Sequence, residues 1–213
     1  MGELRLMRGQ RLVVATHNDG KLRELRGLLS PFGLDLVAAG ELGLDEPEEN
    51  GATFQDNARI KAIVAARASG EWALADDSGV EVDALEGAPG ILTARWAGPE
   101  RDFAGAMLKT HMALVERRAV EPAEHVAAFV AVLCLATPQG EAVCFEGRAP
   151  GILVWPPRGE MGFGYDPMFQ PDGHARTFGE MSEDEKHSWA PGKPGLSHRA
   201  SAFAKFVEAC CER

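Results

Sequence analysis

The sequence lacks the features of a membrane-bound, secreted or nucleic-acid-coating protein. No apolar run approaches the length that crosses a bilayer, and residues 1–10 lack the continuous apolar stretch of a secretory signal. Basic residues are outnumbered, since 22 Lys and Arg stand against 32 Asp and Glu, which gives a net charge of −10. We therefore predict no membrane partner and no nucleic-acid partner, although a small pocket can still be locally positive.

Cysteine is scarce, and its spacing forms no C-x-x-C pair. The four residues are Cys134, Cys144, Cys210 and Cys211. This pattern is not typical of a zinc site or a disulfide framework, so we expect reduced, mostly buried thiols. Reduced thiols suit a cytoplasmic location, which we predict. A Walker A loop is also absent, so any phosphate site must be built in another way.

The order of apolar segments predicts an α/β fold with a mixed sheet. Residues 11–15 read as a buried strand, residues 20–30 as an amphipathic helix and residues 34–38 as a second strand. Two long strands, 127–136 and 141–155, are separated by a Pro- and Gly-containing turn, which indicates an antiparallel hairpin. A βαβ opening followed by a hairpin gives a sheet of mixed direction.

Three further helices and one domain complete the expected organisation. Thr53 is placed to cap a long helix, residues 102–115 read as helical, and residues 197–211 form a closing helix. Residues 156–179 are rich in Gly and Pro and read as irregular. We expect residues 1–10 to be a loose tail and residues 11–213 to be a single domain.

The first candidate site lies between the first strand and the first helix. A helix N-terminus presents free N–H groups and partial positive charge, which suit phosphate. A capped strand-to-helix turn explains the same residues without any ligand, so both interpretations stay open. The residues are Thr16, His17, Asn18, Asp19, Gly20 and Lys21.

The second candidate site is a pair of acids after an apolar strand at residues 72–75. Asp76 and Asp77 are followed by Ser78 and Gly79. Mg²⁺ is typically held by one or two carboxylates together with substrate phosphates, and Asp77 can also orient or deprotonate a water molecule. A simple turn is the alternative, since Asp-Ser-Gly favours turns. An aspartyl-phosphate phosphatase is a further alternative, although the sequence contains no partner motifs that match that class of enzyme.

The third candidate site lies in the C-terminal half. Phe163 or Tyr165 can stack on a base, Gly164 allows close approach, and Asp166 can accept hydrogen bonds from ring N–H groups. A tight turn with one aromatic ring in the core is the alternative. Lys186, His198 and Arg199 follow. By itself, Lys186 would be a solvated charge, and a histidine at a helix start is more often a cap or a surface residue than a functional group.

Taken together, these segments resemble the inosine/xanthosine triphosphate pyrophosphatase family. The resemblance implies an elongated mixed sheet with flanking helices and two lobes around a substrate cleft. It also implies a homodimer, Mg²⁺ as cofactor and attack of water at the α-phosphorus. The matching pieces are VVATHNDGKLREL, TFQDNARIKA, ADDSGVEVDAL, GAPGI, FEGRAPG, GFGYDPMF, EDEK and SHRA.

The resemblance also implies a role for each candidate residue. Residues 16–21 would bind the triphosphate, Asp77 would hold the metal and act as the base, and Ser78 would lie beside the substrate. Glu49 is the chosen second metal ligand, with Glu46 or Glu48 as alternatives. Asn57 and Lys61 are weaker candidates. The base pocket would comprise Phe163, Gly164, Tyr165 and Asp166, with Lys186, His198 and Arg199 as further substrate contacts.

One segment departs from the family pattern. Residues 188–195 stand as an insertion between Lys186 and Ser197, where the family has only a few residues. Loops tolerate such additions, but the placement of Lys186 relative to His198 is open, and Trp189 is a candidate for the rim of the pocket.

The function expected from the sequence is hydrolysis of non-standard purine nucleoside triphosphates, such as ITP, dITP and XTP, to monophosphate and pyrophosphate. A pyrophosphatase for other modified nucleotides and a non-catalytic nucleotide sensor are the alternatives.

Overall fold

The computed structural model describes residues 4–119, 121–188, 193 and 195–211, and in this part of the chain six strands form one mixed sheet. β1 runs parallel to β2 and β3, whereas β3, β4, β5 and β6 are successively antiparallel. The predicted mixed sheet and the predicted hairpin are therefore confirmed. In spatial order the strands are β2 (Asp35–Ala38), β1 (Arg11–Ala15), β3 (Trp72–Val82), β4 (Val126–Ala136), β5 (Ala142–Leu153) and β6 (Phe169–Pro171).

Helices cover both faces of this sheet because side chains alternate between the two faces along each strand. Leu12 and Val14 pack with α1 and α6 on one face, while Val13 and Ala15 pack with α2 on the other. None of the helices in the described residues is long and apolar enough to cross a membrane. The helices are α1 (Asp19–Leu29), α2 (Phe54–Ser69), α3 (Thr93–Trp96), α4 (Phe103–Glu116), α5 (Glu183–His187) and α6 (His198–Cys210).

The acidic pair does not follow a strand end, as the sequence suggested, but lies within β3. The strand continues to Val82 because β4 pairs with it throughout, with Asp76 opposite Leu133 and Asp77 opposite Val132. It is β1 that ends beside the acids, since its last residue, Ala15, pairs with Ala75. The turn alternative is therefore wrong, and the two carboxylates point to opposite faces of the sheet.

Two other expectations from the sequence are wrong. Cys134 and Cys144 lie opposite each other on β4 and β5 and form a disulfide, because the hairpin register pairs them directly; Cys210 and Cys211 are buried free thiols. The described part of the N-terminal segment is not loose, since Leu6 is buried and its N–H donates to the carbonyl of Cys210 at 2.7 Å.

Gly147 decides how closely α6 approaches the sheet. A Cβ atom at this position of β5 would lie 2.2 Å from the backbone nitrogen of Ala202 and 2.2 Å from the carbonyl oxygen of His198. The helix that begins with His198 and Arg199 therefore lies directly on the strand backbone.

Replacement of Gly147 by alanine is expected to lower the free energy of unfolding by at least about 1–3 kcal/mol, the usual cost of overpacking, because backbone must move. Urea denaturation measures this difference. Gly27→Ala is the matched control, since Gly27 lies within α1 with no other atom near the added methyl group. It is expected to gain up to about 1 kcal/mol from helix propensity. Equal unfolding midpoints for the two variants would contradict the close packing.

Candidate active site

One cleft of about 670 Å³ opens beside the end of β1 and collects side chains from both halves of the sequence. Four of the predicted residues, His17, Asp19, Gly20 and Lys186, are not part of its wall, and their contact with substrate stays a prediction. The predicted residues that line the cleft are Thr16, Asn18, Lys21, Glu49, Asp77, Ser78, Phe163, Gly164, Tyr165, Asp166, His198 and Arg199.

The N-terminus of α1 faces this cleft and is well ordered by its own cap. The side chain of Asn18 accepts hydrogen bonds from the N–H groups of Gly20 and Lys21 at 2.9 and 3.2 Å. A Cβ atom on Gly20 would come within 2.8 Å of the Phe163 ring, so this glycine allows the ring to lie against the turn. His17 points away, because its Nε2 pairs with the carbonyl of Leu44 at 2.9 Å.

Asp76 lies on the face of β3 that is covered by α1 and α6, and two cations surround it. Its carboxylate is 2.6 Å from Lys21 Nζ and accepts a hydrogen bond from Arg199 Nε at 2.8 Å. Burial opposes its ionisation, but Arg199 and then Lys21 outweigh burial and hold the pKa of Asp76 well below its usual range. Asp76 is therefore an ionised anchor for both cations.

Asp77 faces the opposite side of the sheet, toward α2 and the acidic loop, which we define as residues 40–51. Its Oδ1 accepts a hydrogen bond from Lys61 Nζ at 3.0 Å, and the same ammonium group donates to Glu49 at 2.6 Å. Burial raises the pKa of Asp77 despite the opposing charges of Lys61 and Lys21. Lys61, a weak candidate from sequence, thus joins the two carboxylates that were predicted to bind metal.

The second oxygen of Asp77 shows that this site fits a divalent cation. Oδ2 is buried and has no hydrogen-bond partner among the described residues. A buried oxygen without a partner is costly, and carboxylate oxygens are the ligands that Mg²⁺ prefers. Glu49 supplies a second carboxylate on the same wall, where Glu46 is also present and Glu48 is not.

Part of the cleft, which we call the aromatic end, is lined by Phe163 and Tyr165. Phe163 is partly exposed there, whereas Tyr165 is buried with its hydroxyl 3.0 Å from Thr110 Oγ1 and donating to the carbonyl of Ala106 at 3.2 Å. Burial raises the pKa of Tyr165 to about 12. Because α4 holds Tyr165 in the core, Phe163 is the better placed of the two rings to stack on a base.

Asp166 and Lys186 form a buried pair behind this aromatic end. Lys186 Nζ donates to Asp166 Oδ2 at 2.9 Å, and the Phe163 N–H donates to the same oxygen at 3.2 Å. Burial raises the pKa of Asp166, with Lys186 opposing the shift. Lys186 therefore positions Asp166 and, through it, the turn that carries Phe163.

α6 contributes its first two residues to the cleft. The His198 ring stacks on Phe129 with centroids 4.8 Å apart, and burial followed by the charge of Arg199 holds the pKa of His198 well below its usual value, so the ring is neutral. Arg199 is fully engaged, because it pairs with Asp76 and Glu24 and donates to Ser78 Oγ at 3.0 Å.

The arrangement matches known proteins over nearly the whole chain. The family model described as the Ham1 family matches residues 12–209. The chain belongs to the Ham1 family. The resemblance to inosine/xanthosine triphosphate pyrophosphatases seen in the sequence is thereby confirmed.

Relatives of this Ham1-family chain include both curated sequences and solved structures. A dITP/XTP pyrophosphatase of Rhodopseudomonas palustris is 58% identical over 200 residues, which cover 94% of this chain and 95% of that protein. A HAM1 protein from Coxiella burnetii superposes with a TM-score of 0.82 at 33% identity, covering 93% and 97% of the two chains. A dITP/XTP pyrophosphatase structure from Mycobacterium abscessus has a TM-score of 0.68 at 40% identity, covering 81% and 90%.

Glu24 and His187 are among the residues of this Ham1-family cleft that the sequence analysis missed. Glu24 falls within the predicted amphipathic helix at residues 20–30 and was given no role in the site, but it is buried against Arg199. Burial raises its pKa, with Arg199 opposing. The available signal was its position three residues after Lys21, which puts both on one helix face. His187 also lines the cleft, and burial, Arg199 and Lys186 lower its pKa to about 3.

Glu24 and His187 also belong to a small cluster with Glu183, whose potential ligand atoms lie within 4.8 Å of one another. Arg199 already neutralises Glu24, so we assign no metal to this cluster.

The residues that flank the insertion lie close together. The N–H of Ser197 donates to the carbonyl of Lys186 at 2.9 Å, and Ser197 Oγ is 2.8 Å from Nδ1 of His187. The end of α5 therefore contacts the start of α6 directly, on the two sides of the insertion. Trp189 lies outside the described residues.

Proposed function

We propose that this chain hydrolyses non-standard purine nucleoside triphosphates, dITP, ITP and XTP among them, to the nucleoside monophosphate and pyrophosphate. The observation that carries the proposal is one cleft lined both by the charged side chains of Lys21 and Asp77 and by the ring of Phe163. The charged groups suit a triphosphate and the ring suits a purine. Relatives named dITP/XTP pyrophosphatase, at up to 58% identity over most of the chain, support the same activity.

The phosphates would lie at the N-terminus of α1. The partial positive charge of the helix end favours anions and Lys21 adds a full charge in the first turn, whereas the N–H groups of Gly20 and Lys21 already donate to the Asn18 side chain. Because Asp76 holds Lys21 at 2.6 Å, the ammonium group is fixed before substrate arrives. A fixed charge stabilises the negative charge that develops on the pyrophosphate leaving group without reorganisation.

Asp77 and Glu49 would hold Mg²⁺. A bound divalent cation supplies charge neutralisation for the phosphates and polarises the phosphoryl oxygen. Asp77 would also orient the attacking water; next to a cation it stays ionised and is a modest base, so orientation of the water matters more than proton removal. Lys61 keeps the two carboxylates close together in the protein alone, which lowers the cost of assembling the site.

Donors at the aromatic end would select the base. His198 lines the cleft with a ring nitrogen, Nδ1, that has no hydrogen-bond partner among the described residues, whereas Arg199 is engaged by Asp76 and Glu24, and Lys186 stands behind Asp166. A 6-oxo purine accepts a hydrogen bond where the 6-amino group of adenine cannot, and a buried donor left unpaired costs about 1–3 kcal/mol. Guanine shares the 6-oxo group, so its rejection must arise near the 2-amino position.

Phe163→Ala is expected to weaken binding of ITP by about 1–3 kcal/mol, which is the range for loss of one base–aromatic stack. The measurement is the dissociation constant of a slowly hydrolysed ITP analogue. Phe163→Tyr retains the ring and should bind within about twofold of the unmodified protein. Unchanged affinity in the alanine variant would count against stacking on Phe163.

A hydrolysis panel tests the proposed function. Triphosphates of inosine, deoxyinosine, xanthosine, guanosine and adenosine, together with modified pyrimidines, are each incubated with Mg²⁺, and the products are separated. The proposal expects monophosphate and pyrophosphate from the first three substrates and slow reaction of the guanosine and adenosine compounds. Preference for a modified pyrimidine would favour the alternative pyrophosphatase, and binding without product would favour a sensor. A homodimer and a cytoplasmic location stay predictions.

A further inference from the structure

The acidic loop carries the proposed metal ligand Glu49 but has little regular structure of its own after residue 43. Side chains from outside the loop bind its backbone at three points after residue 43, in addition to the contacts that Arg26 makes with Glu41 and Lys61 makes with the Glu49 carboxylate. The carbonyl of Leu44 pairs with His17 at 2.9 Å, and the N–H of Gly51 donates to the side chain of Asn57 at 2.9 Å. Between these ends, Arg95 donates through one guanidinium nitrogen to the carbonyl oxygen of Glu49 at 2.6 Å.

This last contact joins residues 46 positions apart across the mouth of the cleft. Arg95 donates to the backbone oxygen of Glu49. The carboxylate of Glu49 instead accepts a hydrogen bond from Lys61, which also donates to Asp77. Because Arg95 binds the backbone oxygen, it fixes the position of Glu49 without placing a second cation on the carboxylate, of which Lys61 contacts only Oε1.

The position of Arg95 is set by the strand that carries Asp77. Thr93 Oγ1 accepts a hydrogen bond from the N–H of Val80 at 3.0 Å and donates to the carbonyl of Gly90 at 2.6 Å. A Cβ atom on Gly79 would lie 2.5 Å from both Thr93 Oγ1 and the Gly90 oxygen. α3 thus packs directly against β3, two residues beyond Asp77. Because Arg95 belongs to α3, this packing fixes its position relative to Asp77.

We propose that Arg95 is a positioning residue that holds Glu49 opposite Asp77 and thereby sets the affinity of the cleft for a divalent cation. The proposal rests on the assignment of Glu49 and Asp77 as metal ligands in the proposed function. Its physical basis is a rigid chain of contacts from β3 through α3 to the backbone of Glu49. Residues that orient metal ligands typically change metal affinity about 10–100-fold when they are replaced.

The experiment compares Arg95→Met with Arg101→Met. Both arginines line the mouth of the cleft and both variants lose one charge, but only Arg95 contacts the acidic loop in the described structure. Amide hydrogen exchange of residues 44–51 is measured first, on protein free of metal and substrate. Exchange is expected to rise about 10-fold or more in Arg95→Met and to stay unchanged in Arg101→Met, because one tether of the loop is lost.

Calorimetric titration with Mg²⁺, without nucleotide, is the second measurement. The dissociation constant is expected to rise about 10-fold in Arg95→Met and less than twofold in Arg101→Met. Unchanged exchange in Arg95→Met overturns the proposal, as does faster exchange with unchanged Mg²⁺ affinity. A higher KM for the triphosphate with neither other change would make Arg95 a direct phosphate contact instead.

These readouts separate the inference from the proposed function. Loop exchange and Mg²⁺ binding are measured without hydrolysis, so they report on Arg95 even if no triphosphate is cleaved. If the unmodified protein binds Mg²⁺ and the Arg95 variant loses affinity, but the hydrolysis panel gives no pyrophosphate, the positioning role stands and the proposed activity fails.

Discussion

Asp77→Asn is expected to lower turnover of ITP by about 10²–10⁴-fold, the range for loss of a general base, and more if metal binding also fails. The substitution keeps an oxygen for Lys61 and replaces a carboxylate oxygen, which has no hydrogen-bond partner in the described residues, by an amide. Steady-state rates at saturating Mg²⁺ and substrate measure the effect.

The same variant is expected to be at least as stable as the unmodified protein. Burial raises the pKa of Asp77, so ionised Asp77 disfavours the folded state near neutral pH, and its removal relieves that cost. Asp83→Asn, which removes an exposed acid six residues further on, is the matched control and should retain full activity. A near-normal rate in Asp77→Asn would refute its catalytic role, and loss of folding would mean that the ionised carboxylate stabilises the fold instead.

Arg199→Met is expected to lower the free energy of unfolding by about 3–5 kcal/mol, because it leaves two buried carboxylates without their main cation. Arg199 pairs with both Asp76 and Glu24, and all three side chains are almost completely buried. Denaturant unfolding at pH 7 measures the loss. Arg148→Met is the control, since Arg148 pairs with Glu81 and Glu146 at the surface and should contribute no more than about 1 kcal/mol.

The loss in Arg199→Met should depend on pH in a defined direction. In the unmodified protein the depressed pKa of Asp76 gives stability that is present above its unfolded-state pKa and is lost only in strong acid. Without Arg199, burial dominates: the folded-state pKa of Glu24, already raised by burial, rises further, and that of Asp76 rises above its unfolded value. Stability of the variant is then greatest at low pH and falls as pH rises, so its deficit should shrink between pH 7 and pH 5. A deficit independent of pH would indicate lost packing alone.

Several site residues could be predicted from sequence because each belongs to a short motif with its own chemistry. The turn at residues 16–21 carries a capping Asn18 and a cation at a helix start, and the structure places both at the cleft. The Gly-rich turn around Phe163 likewise requires glycines next to an aromatic residue. Such signals are local, so a single chain is enough to detect them.

Other features could not be predicted, because they depend on which segments meet. As one charged residue of an amphipathic helix, Glu24 has no local signal of burial. It is buried because it pairs with Arg199, which lies 175 positions away in the sequence. Arg95 had no recognisable motif, and its role follows from the docking of α3 on β3. Cys134 and Cys144 met through the register of the hairpin, which spacing alone does not fix.

The sequence by itself determined the mixed α/β architecture and the segments that carry the chemistry, since hydrophobic periodicity and helix caps act between near neighbours. Only the tertiary structure decided that Asp76 and Asp77 have different roles. Because β4 extends β3 past the end of β1, the two adjacent carboxylates project to opposite faces of the sheet. One faces the cations Lys21 and Arg199 and anchors them, while the other faces Lys61 and Glu49 and keeps one oxygen free of hydrogen bonds from the described residues.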